Sequence, residues 1–135
     1  MDFRNSAIAI ATDDGIAVSS HFGQARYYDV LYFAGGKVTK RERREKAGHH
    51  SLGPAEEGNH DGETHEARHR SMVSPIPECQ AVIVRGMGEG AVHFLRRSNL
   101  VPVLTELRTI DEVIEAVAAG TLESDPGRIH LHHGQ

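Results

Sequence analysis

The chain has 135 residues, of which 39% are hydrophobic and 25% are charged, and its formal net charge is −4. This length favours one domain with a single core, and a negative charge without a long basic run argues against a nucleic-acid-binding protein. Cys79 is the only cysteine, so an intramolecular disulfide is excluded. Neither a long apolar run nor a signal-peptide pattern is present, which predicts a cytoplasmic protein without membrane contact.

Strand-like runs dominate the first third of the chain. They are short, rich in β-branched and aromatic residues, and separated by turn signals such as Asp14-Gly15 and Gly35-Gly36. Because the runs are close in sequence, we expect hairpins and antiparallel pairing. The candidate strands are residues 6–11, 16–18, 27–33 and 37–44.

The composition changes after this region. Residues 47–62 contain hardly any apolar side chain, which predicts a mobile loop, and residues 63–73 are compatible with a polar helix. Histidine is unusually frequent, at ten residues, and it is concentrated in this stretch and at the C-terminus. Bound metal or a polar surface tract would account for this enrichment. The clustered histidines are His49, His50, His60, His65, His69, His130, His132 and His133.

Strand and helix patterns alternate in the second half of the chain. The continuous apolar run 81–84 is typical of a buried strand, and helix, strand and helix patterns follow it over residues 89–97, 100–104 and 109–119. In the last helix, Thr109 and Glu112 match a capping box, and Gly120 ends the pattern. The sequence therefore predicts a single α/β domain with a mixed sheet flanked by helices.

A glycine-rich loop is the first of three constellations that suggest chemistry. Gly86-Met87-Gly88 directly follows the strand at 81–84 and opens a helix, and with Ala91 it fits the spacing of a dinucleotide-binding loop. Glu106, twenty positions beyond Gly86, is where such a fold places its ribose carboxylate. A general anion or cluster pocket at the helix N-terminus is the other interpretation, because no second nucleotide-binding half follows.

His65-Glu66-Ala67-Arg68-His69 is the second constellation and matches the zinc peptidase pattern H-E-x-x-H. Its neighbours are polar, and no third ligand follows at short spacing. A surface site in which His65 and His69 share a zinc ion stays open, as does a solvated helix.

His21 and Cys79 form the third constellation, provided that the sheet brings their loops together. His21 lies with Ser19 and Ser20 in a short break between apolar runs, and loops on a rigid scaffold often carry function. Thiolate and imidazole together suit zinc, copper or iron-sulfur chemistry. The alternative for Cys79 is a small core residue beside a buried strand.

Two blocks of the chain resemble the dinitrogenase iron-molybdenum cofactor biosynthesis family. They are Ile8-Ala9-Ile10-Ala11-Thr12 with Val18-Ser19-Ser20-His21-Phe22-Gly23-Gln24-Ala25, and Ala81-Val82-Ile83-Val84-Arg85-Gly86-Met87-Gly88, followed by a final strand and helix. The resemblance runs from Ile8 to about Leu122 without the histidine-rich insertion. It implies a ribonuclease H-like α/β fold with a mixed five-stranded sheet.

The resemblance also implies a carrier and not an enzyme. Family members bind iron-molybdenum cofactor, its precursors or related metal-sulfur clusters and pass them between metallocofactor assembly proteins, as in nitrogen fixation. By this analogy His21 is the first candidate cluster contact, the loop from Arg85 to Gly90 supplies backbone N–H groups, and Arg85 adds charge. A homodimer is left open. The candidate contacts are Ser19, Ser20, His21, Arg85, Gly86, Met87 and Gly88, and the candidate metal ligands are His21, Cys79, His65 and His69.

We therefore expect a cofactor-carrier domain over residues 1–122, with a histidine-rich loop at 47–70, and a histidine-containing tail over residues 123–135. A single cysteine cannot by itself hold an ordinary four-thiolate cluster. Zinc bound by the histidines of the 47–70 loop is a separate expectation. Two other functions stay open. They are a zinc-dependent hydrolase built on the H-E-x-x-H segment and an anion-sensing regulatory module built on the glycine loop.

Overall fold

The computed structural model describes residues 1–46 and 72–130. Within them, a mixed five-stranded sheet forms the centre of one small α/β domain, as the sequence predicts. Numbered along the chain, its strands and the short strands outside it are β1 (Ala7–Thr12), β2 (Tyr27–Ala34), β3 (Lys37–Glu45), β4 (Ala81–Val84), β5 (Met87–Gly88), β6 (Val101–Leu104) and β7 (Ile129–His130). The two described helices longer than one turn are α1 (Glu89–Arg97) and α2 (Ile110–Ala119).

The strand order of the large sheet is β3-β2-β1-β4-β6. The first three strands pair antiparallel through hairpins, whereas β1, β4 and β6 run parallel to one another. Parallel neighbours end at the same edge of a sheet, so the segments that follow β1, β4 and β6 all emerge on one side. That carboxyl edge therefore collects loops that are far apart in sequence.

The two faces of the sheet each support a hydrophobic cluster. Side chains alternate along β1, so Ala9 and Ala11 join the cluster beneath α1, while Ile8 and Ile10 join the cluster beneath α2. Helix α1 contributes Val92 and Leu95 to the first cluster. The small alanines leave room on that face for larger side chains from other elements, and the result is a three-layer helix-sheet-helix arrangement.

Helix α2 begins and ends as the sequence predicts. The Thr109 hydroxyl accepts the Glu112 N–H at 3.1 Å, the Glu112 carboxylate accepts the Thr109 N–H at 3.1 Å, and Gly120 closes α2 in the left-handed region at φ 74°. Helix α1 ends similarly, with Asn99 at φ 64°. The Leu100 N–H donates to the Leu95 carbonyl at 2.9 Å, so Leu100 belongs to this helix end and β6 begins one residue later than predicted.

Residues 16–18 do not form the predicted strand, and this expectation was wrong. Only Ala17 makes a β-bridge, to Thr109 beside α2. The reason is the Asp14 side chain, whose Oδ1 accepts the N–H groups of Ile16 and Ala17, each at 2.9 Å. A carboxylate that takes these backbone donors forms a compact local turn and competes with a sheet ladder.

Some predicted features fall on residues that lie outside the described ones. These are the loop at 47–62 and nearly all of the polar helix at 63–73.

Residues 124–130, which we expected within a tail, follow α2 and include β7, which pairs parallel with β5. The domain boundary predicted after residue 122 stays a prediction.

Candidate functional site

Two backbone hydrogen bonds hold the predicted histidine loop against the predicted glycine loop. The Arg85 N–H donates to the Ser19 carbonyl at 2.8 Å, and the Phe22 N–H donates to the Gly86 carbonyl at 3.1 Å. The two loops follow β1 and β4, which are parallel neighbours, so the geometry of the sheet places them side by side. Residues more than 60 positions apart in the chain are thereby brought into one place.

An open cleft of about 390 Å³ lies at this edge of the sheet, and we call it the carboxyl-end cleft. Ser19, Ser20, His21 and Arg85, all singled out from the sequence, line it together. Such a volume falls within the usual range for small-ligand sites. The remaining lining residues are Asp13, Asp14, Ala17, Val18, Gln24 and Arg108.

His21 is an exposed residue with extended backbone at φ −138° and ψ 107°. Its N–H donates to the Ser19 hydroxyl at 3.1 Å, and that hydroxyl also lies 3.1 Å from the His21 carbonyl. This serine turn fixes the backbone of His21 from within its own loop. The following residue, Phe22, is buried in the core and anchors the loop from below.

The carboxylates of the cleft wall are occupied by backbone donors. Asp14 accepts the N–H groups of Ala17 and Ile16, which hold the pKa of its carboxyl below the usual value. Asp13 accepts the Arg26 N–H at 2.9 Å. These two acidic side chains therefore shape the loop, and they share the cleft with the positive charges of Arg85 and Arg108.

An ion-pair network around one buried carboxylate holds the same loop from behind. Asp29 on β2 is only 3% exposed and pairs with Arg41 at 2.8 Å and with Arg43 at 3.4 Å. Arg41 also donates to the Gly15 carbonyl at 2.7 Å. Gly15 has φ +79°, a left-handed backbone conformation that strains a residue with a Cβ, so this turn favours glycine.

The Arg85 side chain is unusual because its Nε is buried and has no hydrogen-bond partner among the described residues. Buried polar atoms normally have partners, because losing water without a replacement costs free energy. A guanidinium donor left in this state beside an open cleft fits an anion as the missing partner.

The rest of the glycine loop plays different parts. Gly88 is the N-cap of α1, with extended backbone and no side-chain cap, so the first N–H groups of the helix are not satisfied by that residue. Met87 is 2% exposed and packs in the core beneath α1, so its side chain stabilises the loop from inside. Glu106, the candidate ribose carboxylate, lines a separate cavity with Ser124 and Asp125.

The structure does not bring Cys79 to the carboxyl-end cleft. Cys79 precedes β4, whereas Arg85 follows it, so the two residues lie at opposite ends of the same strand. Cys79 is 7% exposed and lines what we call the amino-end cavity, together with Phe94, Ser98 and Leu100. Burial raises the pKa of its thiol to about 12, which disfavours the thiolate that metals bind. Cys79 as a metal ligand stays a prediction that this placement does not favour.

Lys46 is a buried cation near the cleft that sequence reasoning missed. It is 1% exposed, its Nζ lies 4.5 Å from the centroid of the Phe22 ring, and it donates to the Ala25 carbonyl at 3.5 Å. Burial lowers the pKa of its ammonium to about 8, against an opposing effect of the Asp13 charge. Because Lys46 directly follows the highly charged strand β3, the sequence indicates an ordinary exposed lysine.

His65 and His69 lie outside the described residues, as does the H-E-x-x-H segment. Among residues 1–46 and 72–130, no group of three or more His, Cys, Asp or Glu side chains is placed to hold a metal ion. Likewise, none of the helices in these ranges is long and apolar enough to cross a lipid bilayer.

Sequence reasoning also missed Asp13, Asp14, Gln24 and Arg108 as cleft residues. Asp13 and Asp14 directly follow β1, so their place after a strand was a usable signal. Arg108 carried no such signal, because it reaches the cleft from the segment that leads into α2. The Val18 N–H donates to its carbonyl at 2.8 Å, which joins the start of α2 to the loop after β1.

Comparison with protein families finds one match that spans most of the chain. The family described as dinitrogenase iron-molybdenum cofactor matches residues 4–120. No curated protein shows a significant sequence match.

Solved structures with the same fold come from several sources. A candidate dinitrogenase from Methanocaldococcus jannaschii is 14% identical, with a TM-score of 0.60 over 90% of this chain and 96% of that one. A candidate NifB protein from Thermotoga is 21% identical, with a TM-score of 0.60 over 96% of this chain and 99% of that one. The crystal structure of PH0822 is 24% identical, with a TM-score of 0.59 over 89% and 95% of the two chains. At these identities the likeness shows the fold.

Proposed function

Since the chain belongs to the dinitrogenase iron-molybdenum cofactor family, we propose that it binds an iron-molybdenum cofactor precursor or a related metal-sulfur cluster and carries it during cofactor assembly. The observation that carries this proposal is the joining of His21 and Arg85 in one open cleft by two backbone hydrogen bonds. An imidazole supplies one metal ligand, and guanidinium groups attract an anionic cluster.

The composition of the cleft favours carriage over catalysis. His21 is the one imidazole in the cleft lining, and its carboxylates are used largely in holding the loop. A cluster bound by few protein ligands is released readily to an acceptor. The exposed position of His21 leaves the bound cargo open to approach by such an acceptor. The chain is thus proposed to act as a carrier, with metallocofactor assembly proteins as its partners and the cytoplasm as its location.

The sheet supports a finer proposal on the fold. Five strands in the order β3-β2-β1-β4-β6, with only β2 antiparallel to the others, support the ribonuclease H-like class. In this arrangement the cleft lies at the carboxyl ends of the central parallel strands, where open α/β sheets commonly bind ligands. We propose Ser19, Ser20, His21 and Arg85, which line the cleft, as the contacts of the cargo. Gly86, Met87 and Gly88 follow Arg85 but are not among the lining residues, and their backbone stays a predicted contact.

The test is the metal content of untagged protein purified without oxygen from cells that make metal-sulfur cofactors. We expect iron or molybdenum together with acid-labile sulfide and visible absorption in the wild type. The His21→Ala variant should lose most of these signals, because it loses the imidazole ligand. The Cys79→Ala variant is the matched control and should keep them, because Cys79 lies at the other end of β4.

Equal melting temperatures of the three proteins would show that cargo loss in the histidine variant is not a folding defect. Stoichiometric zinc without sulfide, unchanged by His21→Ala, would sink the proposal. That result would move the site to the histidine-rich segment and favour the zinc-dependent alternative.

A further inference from the structure

The segment after α2 returns to the glycine loop. The Asp125 N–H donates to the Leu104 carbonyl at 2.8 Å, and the Leu104 N–H donates to the Ser124 hydroxyl at 3.0 Å, which extends the contacts of β6. A 3₁₀ turn at Pro126–Arg128 follows, and then β7 pairs parallel with β5. The family match ends at residue 120, so this returning segment lies beyond the matched region.

This return places a second arginine beside Arg85. The Nη1 of Arg128 lies 3.5 Å from the Arg85 carbonyl oxygen, to which it donates. Its Nε, like that of Arg85, is buried without a hydrogen-bond partner in the described part of the chain. These are the two buried side-chain nitrogen or oxygen atoms without a hydrogen-bond partner in that part of the chain, and they belong to residues in contact with each other.

In the described part of the chain no carboxylate forms an ion pair with Arg85, and the Asp13 and Asp14 carboxylates that share its cleft accept backbone N–H groups. Asp125 is the carboxylate that approaches Arg128, with its Oδ2 3.8 Å from Arg128 Nε, and its side chain is 60% exposed. Its Oδ1 accepts the Gly127 N–H at 2.9 Å. A distant and solvated carboxylate of this kind provides weak compensation for the buried Nε of Arg128.

We infer that Arg85 and Arg128 form one binding site for a polyvalent anion. Two arginines in contact, each with an unpaired Nε–H donor, match the several acceptor atoms of such a ligand. The ligand is either a free tetrahedral oxyanion or the anionic surface of the proposed cargo. Only the second source rests on the proposed function. The returning segment 124–130 then serves as part of the site, because it delivers Arg128.

The experiment uses the full-length apo protein titrated with sodium sulfate and sodium molybdate by calorimetry. We expect Arg85→Gln and Arg128→Gln each to weaken binding at least about tenfold, the loss typical of one charge-assisted contact. Arg96→Gln is the matched control, since Arg96 is exposed in the last turn of α1, and it should bind as the wild type does. The stabilisation that these anions give the wild type should be smaller in the two arginine variants, in parallel with their weaker binding.

Folding of each variant is checked by its melting temperature without anion. If Arg128→Gln fails to fold, Arg128→Lys decides the question. It keeps the charge but loses the planar guanidinium, and weaker binding than the wild type is still expected. Wild-type affinity in the folded Arg128 variant, or no binding of either anion by the wild type, would overturn the inference.

Cluster loading separates the two sources of the anion and the two proposals. A folded Arg128→Gln variant with weak oxyanion binding and reduced cluster content supports the site as a contact of the cargo. Weak oxyanion binding with full cluster content supports a site for a free oxyanion. If the wild type carries no cluster but its oxyanion affinity depends on Arg128, the proposed function fails and the anion site stands.

Discussion

The two ends of strand β4 offer a ligand opposite environments. Its carboxyl end opens on a cleft with Arg85, Arg108 and His21, whereas its amino end meets a cavity without charged lining residues, which Cys79 helps to line. His21 at the carboxyl end and Cys79 at the amino end are both residue types that bind metals. Burial separates His21 from Cys79, because His21 is exposed whereas Cys79 is only 7% exposed, and loss of water disfavours the charged form of a side chain.

The comparison extends to two buried ionisable groups. Lys46 lies against Phe22 at the cleft end, and Cys79 lies at the other end, yet both contact the side of the core beneath α1. Burial lowers the pKa of the lysine and raises that of the cysteine. Both shifts favour the neutral form, so the interior disfavours charge at both ends, whereas the surface of the cleft admits it.

The reactivity of Cys79 should show the largest effect. Because the pKa of the thiol is raised from 9.0 to about 12, the folded protein should react with a thiol reagent near pH 8 on the order of a thousandfold more slowly than the urea-unfolded protein. The rate is followed by absorbance of the released product. A folded-state rate close to the unfolded one would break the comparison, because it would mean that the amino-end cavity supports a thiolate.

Lys46→Met should have the next largest effect. The pKa of the ammonium is about 8 in the folded protein, against an ordinary value of 10.5, so its burial should cost about 3 kcal/mol at pH 7. Replacing it should increase the free energy of unfolding by about that amount. Between pH 8 and 10.5 the folded lysine has lost its proton while the unfolded one keeps it. The stability advantage of the variant should therefore shrink as the pH rises through this window.

Urea unfolding at several pH values measures that difference. Lys37→Met is the control, because Lys37 is exposed on β3 and should show no such pH dependence. A Lys46→Met protein that is less stable at pH 7 would mean that the contacts with Phe22 and Ala25 outweigh the desolvation of the charge.

Helix-end hydroxyls provide the smallest contrast. Thr109→Ala removes the capping box of α2 on the cleft side and should lower the free energy of unfolding by about 1 kcal/mol. Ser98→Ala at the end of α1, beside the amino-end cavity, removes a hydroxyl bonded to the Phe94 carbonyl at 3.0 Å. This back-bonded hydroxyl contributes little, so a change under about 0.5 kcal/mol is expected. Equal losses in thermal or urea unfolding would argue against a special role for the cap.

Local patterns predicted most of the elements. The helical spacing of apolar residues and the capping signals of residues 109–120 were sufficient to predict α2 and its capping box. A helix and its caps depend on residues within four positions of one another. The predicted strand at 16–18 was wrong for an equally local reason. The Asp14 carboxylate captured two backbone donors, and composition alone does not show such a capture.

Sequence by itself determined the family resemblance and the mixed sheet with its flanking helices. It also singled out Ser19, Ser20, His21 and Arg85, which the structure then places in one cleft. Only the tertiary structure decided that Cys79 lies at the opposite end of β4 and that Lys46 is buried. It also decided that Arg128 returns to the side of Arg85. The physical reason is that strand order and direction determine which loops meet, and these depend on contacts between residues far apart in the chain. Burial then determines which of the assembled groups carry charge.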